Sequence, residues 1–336
     1  MYPNKSQQEL LAKHFWCVRF VYNWWLSLSQ EKYPWYNTLA RQLTQYKKEK
    51  TFLSEALNHS LQYSLKHLDS AFKSFFNKKW KYPKFKKKWY VDKVHYTENI
   101  HIKNDKVKVP KIWYIKCKFH RSCIWNIKSM CITKTASWKY YVSILTDDSE
   151  RKPSWVWKVG IDMWIKEFAI LSDGTVYHNP KYLKKSMKRL KRLQKVLSRK
   201  KKGSSNRNKA RLVLARQCEK VANQRLDFQH KISREIANKF WFVAMEKLNI
   251  KWMMSNHKLA GSIWDAGWYM FKKLLSYKTK VVEIDQYEPS SKTCSCCWNI
   301  KQNLTLQDRT YHCDVCGYVE DRDVNAAKNI LTMANI

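Results

Sequence analysis

Glycine is nearly missing from this sequence: six among 336 residues, where average usage would supply about 24. A chain so short of the residue that enters left-handed backbone freely must make its tight turns by other means. Acid is scarce as well, with 27 Asp and Glu against 65 Lys and Arg and a formal net charge of +38. Self-repulsion on that scale serves no enzyme of small neutral substrates. A long polyanion relieves it, so nucleic acid is the expected partner. Long apolar runs are also lacking. No stretch approaches the roughly 18–20 residues of a spanning helix, and the opening MYPNKSQQELLAKHF has no signal-peptide core. The expected location is the cytoplasm, with no membrane partner.

What is present suffices for two or three cored domains, since 44% of residues are hydrophobic. Residues 5–76 read as helical, with Leu57, Leu61, Leu65, Leu68, Phe72 and Phe76 at three- and four-residue spacing. A basic run follows, with eight Lys between 73 and 88 and no acid. From about 100 to 146 the period changes to two, as in the strands of a small sheet. Three more strands in hairpin succession fit 156–178, with Asp173-Gly174 as a turn. Residues 181–239 read as helical, broken at 202–206, and 181–220 holds 17 Lys and Arg against one acid, Glu219. There follow a strand to Glu246, a helix over 262–276, a strand at 280–285, a cysteine block and a helix over 323–333. From residue 156 this is the element order of an RNase H-like fold. The expected class is a multidomain α+β and α/β chain: a helical N-terminal region with a small β-barrel, an RNase H-like domain, and an inserted four-cysteine zinc ribbon.

Ten cysteines could suggest a disulfide scaffold, but that solution belongs to short secreted chains. Cys294 with Cys297 and Cys313 with Cys316 form two C-x-x-C pairs, 15 residues apart, which is zinc-ribbon spacing. Four thiolates close the shell of a Zn²⁺ ion, so the expected metal is structural. Cys296 competes with its neighbour, though the two-residue gap favours Cys297. Cys17, Cys117, Cys123, Cys131 and Cys218 read as packing residues. Among the acids, Asp162 ends the apolar run KVGID, Glu246 ends FWFVAME, and Asp323 opens the last helix. A carboxylate at the end of a buried strand is costly unless a cation or base meets it. Each alone could be a helix cap or an ion-pair partner. Three converging would suit two divalent ions gripping one phosphate, Mg²⁺ by preference and Mn²⁺ as a substitute.

VGIDMWIKEFAILSDG, VAMEKLNIKWMMSNHKLA and SIWDAGWYMFKKLLSYK, with DRDVNAAKNIL after the C-x-x-C pairs, resemble the RuvC and zinc-ribbon signatures of the TnpB/OrfB transposon family. FWCVRFVYNWWL and FFNKKWKYPKFKKKW resemble that family's N-terminal helical region, so the resemblance covers nearly the whole chain. It implies an RNA-guided DNA endonuclease of a bacterium or archaeon, associated with the nucleoid. The implied partners are DNA and a guide RNA from the transposon end, with base pairing reading the target and the protein reading a short adjacent motif. No protein partner is implied. The resemblance puts Asp162, Glu246 and Asp323 on catalytic, cation-holding positions, with Asp321 the neighbouring alternative to Asp323. It divides the chain into a recognition-like helical region (1–99), a wedge-like β-barrel (100–150), a RuvC-like domain (151–289 and 319–336) and the ribbon (290–318). The basic stretches 73–88 and 181–220 would follow nucleic-acid backbones. Two other functions fit such a fold. The intact acid trio disfavours a non-catalytic regulator of transposition, and the ribbon ahead of the last acid disfavours a strand-transfer transposase.

The sequence departs from the family in two ways. The family carries a short strand ending near L-Y-P-N before its first helix; this chain starts at Met-Tyr-Pro-Asn, so that strand is expected to be lost or encoded upstream. Then there are 17 tryptophans, several where glycine belongs. Trp298 follows one cysteine pair where Gly317 follows the other, and Trp138 occupies a strand-to-strand turn. Trp164 comes two residues after Asp162, and Trp252 and Trp89 also stand at family glycines. The pattern predicts UGA codons that the source cell reads as glycine, with Trp24 and Trp268 genuine. Enrichment for base stacking is the competing account, but it does not explain indoles in turns.

Overall fold

A computed structural model describes residues 1–28, 33–88, 91–120, 126–147, 157–305 and 308–334. Trp89, Cys123 and the expected domain junction at 150 lie outside the described residues. The chain divides into two compact units, residues 1–150 and 151–336.

In the first unit the helical reading of 5–76 resolves into α1 (Lys5–Leu28), α2 (Tyr36–Glu49), a 3-10 turn (Thr51–Glu55) and α3 (Asn58–Phe76). Leu11, Phe15, Val18, Tyr22 and Trp25 form the buried stripe of α1, and Leu61, Leu65, Leu68 and Phe72 that of α3. The strands expected as one barrel form two antiparallel sheets. One joins β1 (Asp92–Tyr96) to β5 (Ile127–Lys134) and β6 (Tyr140–Thr146); the other is the meander β2 (Ile102–Lys103), β3 (Lys106–Val109) and β4 (Trp113–Lys116). β1 lies within the segment assigned to the helical region, because Val94 and Tyr96 alternate with polar residues and bury against the helices. The His14 ring, on α1, meets the Tyr96 hydroxyl at 2.9 Å within that core.

The second unit is built on a five-stranded sheet ordered β11-β10-β7-β8-β9. Its strands are β7 (Lys158–Asp162), β8 (Glu167–Leu171), β9 (Val176–His178), β10 (Phe242–Glu246) and β11 (Lys280–Ile284). β10 runs parallel to both β7 and β11, while β8 runs antiparallel to its neighbours β7 and β9. Strands covered on both faces need continuous apolar runs, and Phe242-Val243-Ala244-Met245 is one. Val243 and Met245 join Ile232, Ile263, Phe271 and Leu275 on one face; Phe242 and Ala244 join Ile330 on the other. The first face is covered by α5 (Ser205–Lys239), which follows α4 (Tyr182–Ser198), and then by α7 (His257–Ala266) and α8 (Trp268–Ser276), after the short α6 (Ile250–Met253). The second face takes α9 (Arg322–Met333), which follows the small hairpin of β12 (Thr310–His312) and β13 (Val319–Asp321).

Two details differ from the helices read in sequence. The helix expected over 262–276 is two helices, because Gly267 adopts φ +66° and ends α7. Arg225 Nε and Gln229 Nε2, from α5, donate to the carbonyls of Asp265 and Ala266 at that break. Cys218, read as a packing residue, is exposed, since the solvent face of the long α5 passes through it.

Gly160 sets the distance between sheet and last helix. A Cβ there would stand 1.9 Å from the Ala327 carbonyl oxygen and 2.9 Å from the Leu331 amide, so β7 and α9 touch backbone to backbone. Gly160→Ala is therefore expected to cost about 1–3 kcal/mol of stability by overpacking, with Gly160→Val costing more. Thermal denaturation measures it; an unchanged midpoint would mean that α9 is not held against β7.

Candidate active site and four-cysteine site

Asp162 is the last residue of β7 and Glu246 the last of the parallel neighbour β10. The pairing of Ile161 with Met245 sets these two acids level at the carboxyl edge of the sheet, where open α/β sheets bind ligands. The close seat of α9 on β7 brings in the third acid. Asp323 lies in the first turn of α9 and is 8% exposed. Asp321 serves the backbone instead, where its Oδ1 accepts the amide hydrogens of Asp323 and Val324 at 2.9 and 3.2 Å and caps the helix. Asp321 is thus engaged as the cap, and Asp323 is the buried acid of the two.

The three acids share one electrostatic problem. Burial, followed by the charges of Glu246 and Asp323, pushes the Asp162 carboxyl up to about 7. Burial also raises Glu246, against a hydrogen bond from Ser290, and raises Asp323, against the nearby Arg322. Arg309 and Arg322 approach Asp323 only to 3.7 and 3.6 Å. A carboxylate group so placed, with so little local compensation, fits a multivalent cation. Among the described residues, only the cysteines form a set with all ligand atoms within 4.8 Å of one another. The acid trio is therefore more open than a single-ion cage.

Ser290, which sequence reading missed, donates its hydroxyl to Glu246 Oε1 at 2.5 Å and fixes that carboxylate from the start of the cysteine block. Two asparagines were missed as well. Asn325 Nδ2 donates to the Thr293 carbonyl at 2.8 Å, and Asn329 Nδ2 to those of Ser290 and Thr293 at 2.8 and 2.6 Å. Both are wholly buried. Their signal was available: polar residues four apart on a helix share one face, here beside the small Ala326 and Ala327. One helix thus presents an acid to the sheet edge, small residues to Gly160 and amides to the cysteine loop.

Beside Asp162 and Glu246 opens a cleft of about 800 Å³. Lys166, Lys181, Lys184, His257 and Lys258 border it, with Trp164 and Met187 among its apolar wall. Such a rim suits a phosphodiester backbone. Asp265, in the same wall, is structural: its carboxylate caps α4 by accepting from the Leu183 and Lys184 amides at 3.0 and 3.2 Å.

The sulfurs of Cys294, Cys297, Cys313 and Cys316 all lie within 4.8 Å of one another. Cys294 to Cys316 is 3.7 Å and Cys297 to Cys313 is 3.5 Å, close to the edge of about 3.8 Å of a tetrahedron with metal–sulfur bonds of about 2.3 Å. Amide hydrogens of Cys316 and Val315 draw the Cys313 thiol down, while desolvation and the neighbouring sulfurs hold those of Cys297 and Cys316 up, so that without a cation the four do not ionise together. Cys296 stays outside the group.

A basic chain with acids at the carboxyl edge of a parallel strand pair, and a four-cysteine site docked on the same helix, defines a nucleic-acid-processing architecture. The family described as "Probable transposase" (OrfB, IS605) matches residues 141–257, and a Cas12f1-like TNB domain and an OrfB helix-turn-helix domain match 268–330 and 1–34. A relative from Streptomyces pristinaespiralis, named "Putative RNA-guided DNA endonuclease", is 35% identical over 98% of this chain and 87% of its own length. A second, InsQ from Escherichia coli K12, has the same description and is 30% identical over 97% of this chain and 89% of its own. A Cas12f1–sgRNA–target DNA complex solved by cryo-EM has a similar fold, with TM-score 0.53 and 15% identity, covering 97% of this chain and 83% of that one. This chain belongs to the TnpB/OrfB family. Among the described residues, no helix is long and apolar enough to cross a membrane.

The raised acids give a pH signature. The unfolded chain loses the Asp162 proton near pH 4, whereas the folded, metal-free protein holds it to about 7. Folding therefore takes up a proton between these values, and stability is expected to fall as pH rises through that window, then level off. Glu246 and Asp323, also raised, act in the same direction. Denaturation of the Mg²⁺-free protein should show a shallower decline for Asp162→Asn than for the parent; equal slopes would mean that Asp162 ionises in the fold without cost.

Proposed function

We propose that this chain is a metal-dependent, RNA-guided DNA endonuclease whose second unit is a RuvC-like domain of the RNase H-like class. The observation that carries the reading is the placing of Asp162 and Glu246 at the ends of paired parallel strands, with Asp323 in the first turn of α9 and with burial, then Glu246 and Asp323, raising the Asp162 carboxyl. The strand order, with β8 alone running against the four other strands of the sheet, supports the fold class. The names of the relatives support the substrate and the guide.

In this reading each acid has a distinct position. Asp162 comes from the central strand and Glu246 from its neighbour, held by the Ser290 hydroxyl. Asp323 closes the group from α9. When bound there, two Mg²⁺ ions would lower the pKa of an attacking water and offset charge on the leaving oxygen. Lys166, Lys181, Lys184 and Lys258 along the cleft would meet phosphates of the DNA strand to be cut. The α4–α5 face and residues 73–88 would track further backbone, including that of a guide RNA from the transposon end. We assign residues 290–318 to a Zn²⁺ ribbon inserted in the RuvC-like domain (151–289 and 319–336), and the first unit to recognition-like (1–99) and wedge-like (100–150) roles.

Cleavage of a guide-matched DNA tests the reading. Asp162→Asn, Glu246→Gln and Asp323→Asn are each expected to lower the rate roughly 100-fold or more while leaving nucleic-acid binding in a gel-shift assay. Asp321→Asn should retain cleavage. Full cutting by Asp162→Asn would overturn the assignment. For the ribbon, elemental analysis should find one zinc per chain, and Cys313→Ser should lose it and lower the thermal midpoint. Full zinc content in Cys313→Ser would place the metal elsewhere.

A further inference from the structure

We infer that in its source cell this chain carries glycine, not tryptophan, at positions 113, 138 and 298. Eight non-glycine residues among those described have positive φ, and three of them are Trp113 at +68°, Trp138 at +68° and Trp298 at +63°. Asparagine, whose short polar side chain tolerates this region, supplies only Asn99 and Asn104. For a bulky aromatic residue the Cβ crowds the following carbonyl, which makes this backbone region costly.

The fold repeats two of these turns elsewhere, and there the residue is glycine. In the first cysteine pair the Trp298 amide donates to the Cys294 carbonyl at 3.0 Å, and the Cys294 amide to Asn299 at 2.9 Å. In the second, the Gly317 amide donates to Cys313 at 3.0 Å, and the Cys313 amide to Tyr318 at 2.8 Å. The two knuckles are the same turn, with φ +63° at Trp298 and +71° at Gly317. The second match lies in hairpins. Between β5 and β6 the Trp138 amide donates to Thr135 at 3.0 Å and the Thr135 amide to Lys139 at 2.9 Å. Between β8 and β9 the Gly174 amide donates to Leu171 at 3.0 Å and the Leu171 amide to Thr175 at 2.9 Å. This is the three-residue loop that ends in a left-handed position, filled once by Gly174 at φ +84° and once by tryptophan. Trp113 opens β4 just after another tight loop, in which Lys111 has φ +65°.

Packing does not ask for these indoles. Trp113, Trp138 and Trp298 are 71%, 48% and 43% exposed, whereas Trp25 and Trp268 are 1% and 2% exposed in the cores of their units. Enrichment for base stacking would scatter indoles over the surface without selecting left-handed backbone. Trp164 and Trp252, which also stand at family glycines, have no positive φ and carry no part of the inference. The chemical explanation is a UGA codon decoded as glycine by the cell and written as tryptophan in this translation.

Peptide mass spectrometry of the protein isolated from its source cells decides the matter. Peptides spanning 113, 138 and 298 are expected at the glycine mass, and those spanning 25 and 268 at the tryptophan mass. Tryptophan at 138 and 298 would overturn the inference. Recombinant protein gives a second readout. The W113G/W138G/W298G variant should melt higher than the chain as written, by about 2–4 °C per position. A midpoint equal to or below the parent's would also overturn it.

Discussion

Where α9 lies on β7 no side chain separates the two backbones, and the geometry of the second unit follows from that contact. Gly160 has no Cβ, and what it faces on the helix is the backbone of Ala327 and Leu331. The helix can therefore come close enough for Asp323 in its first turn to reach the charge field of Asp162 and Glu246. Any larger residue at 160 would push the helix outward and take its acid with it. The site depends on a small residue that takes no part in the chemistry.

The contact gathers like charges in a desolvated place, which a fold does not do without compensation. Arg309 and Arg322 stand near Asp323 but short of hydrogen-bonding distance, and Asp162 keeps its proton to about 7. A structural ion pair would be built the other way, with the guanidinium hydrogen-bonded to the carboxylate, as Arg19 Nη1 is to Asp92 Oδ1 at 2.6 Å in the first unit. Incomplete compensation leaves room for a cation of higher charge. It also permits a trio too open for a one-ion cage.

Much of this was legible in the sequence because the signals were local. KVGID and FWFVAME read as buried strands ending in acids, and the cysteine spacing picked out the four sulfurs that the fold gathers. The choice of Asp323 over Asp321 was readable only through resemblance, since both sit at the start of one helix; in the structure Asp321 is engaged as the cap. Signals that depend on pairing were less legible. β1 falls outside the expected strand region because its partner, β5, lies more than 30 positions later. The break at Gly267 was hidden inside a good helical pattern, where a single glycine is usually tolerated. Ser290, Asn325 and Asn329 act between segments and carry no motif of their own. The misplaced tryptophans were half visible: Trp138 and Trp298 were marked by turn context, but Trp113 needed its φ.

The position of the cysteine block follows from the same helix. Among its described residues only Cys294, Tyr311 and Cys313 form a buried cluster, with Leu304 and Tyr318 packed against them, too little apolar area to hold a fold by itself. A metal held by the four sulfurs would supply the missing cohesion. The block then docks through Asn325 and Asn329, whose amides hold the carbonyls of Ser290 and Thr293, while Ser290 reaches Glu246. Losing the metal would therefore be felt at the acids by two routes, through the Ser290 hydroxyl and through the seating of α9. The cysteine site is structural in its chemistry, yet it braces two of the three carboxylates, which accounts for its place in the chain between the strands that carry the first two acids and the helix that carries the third.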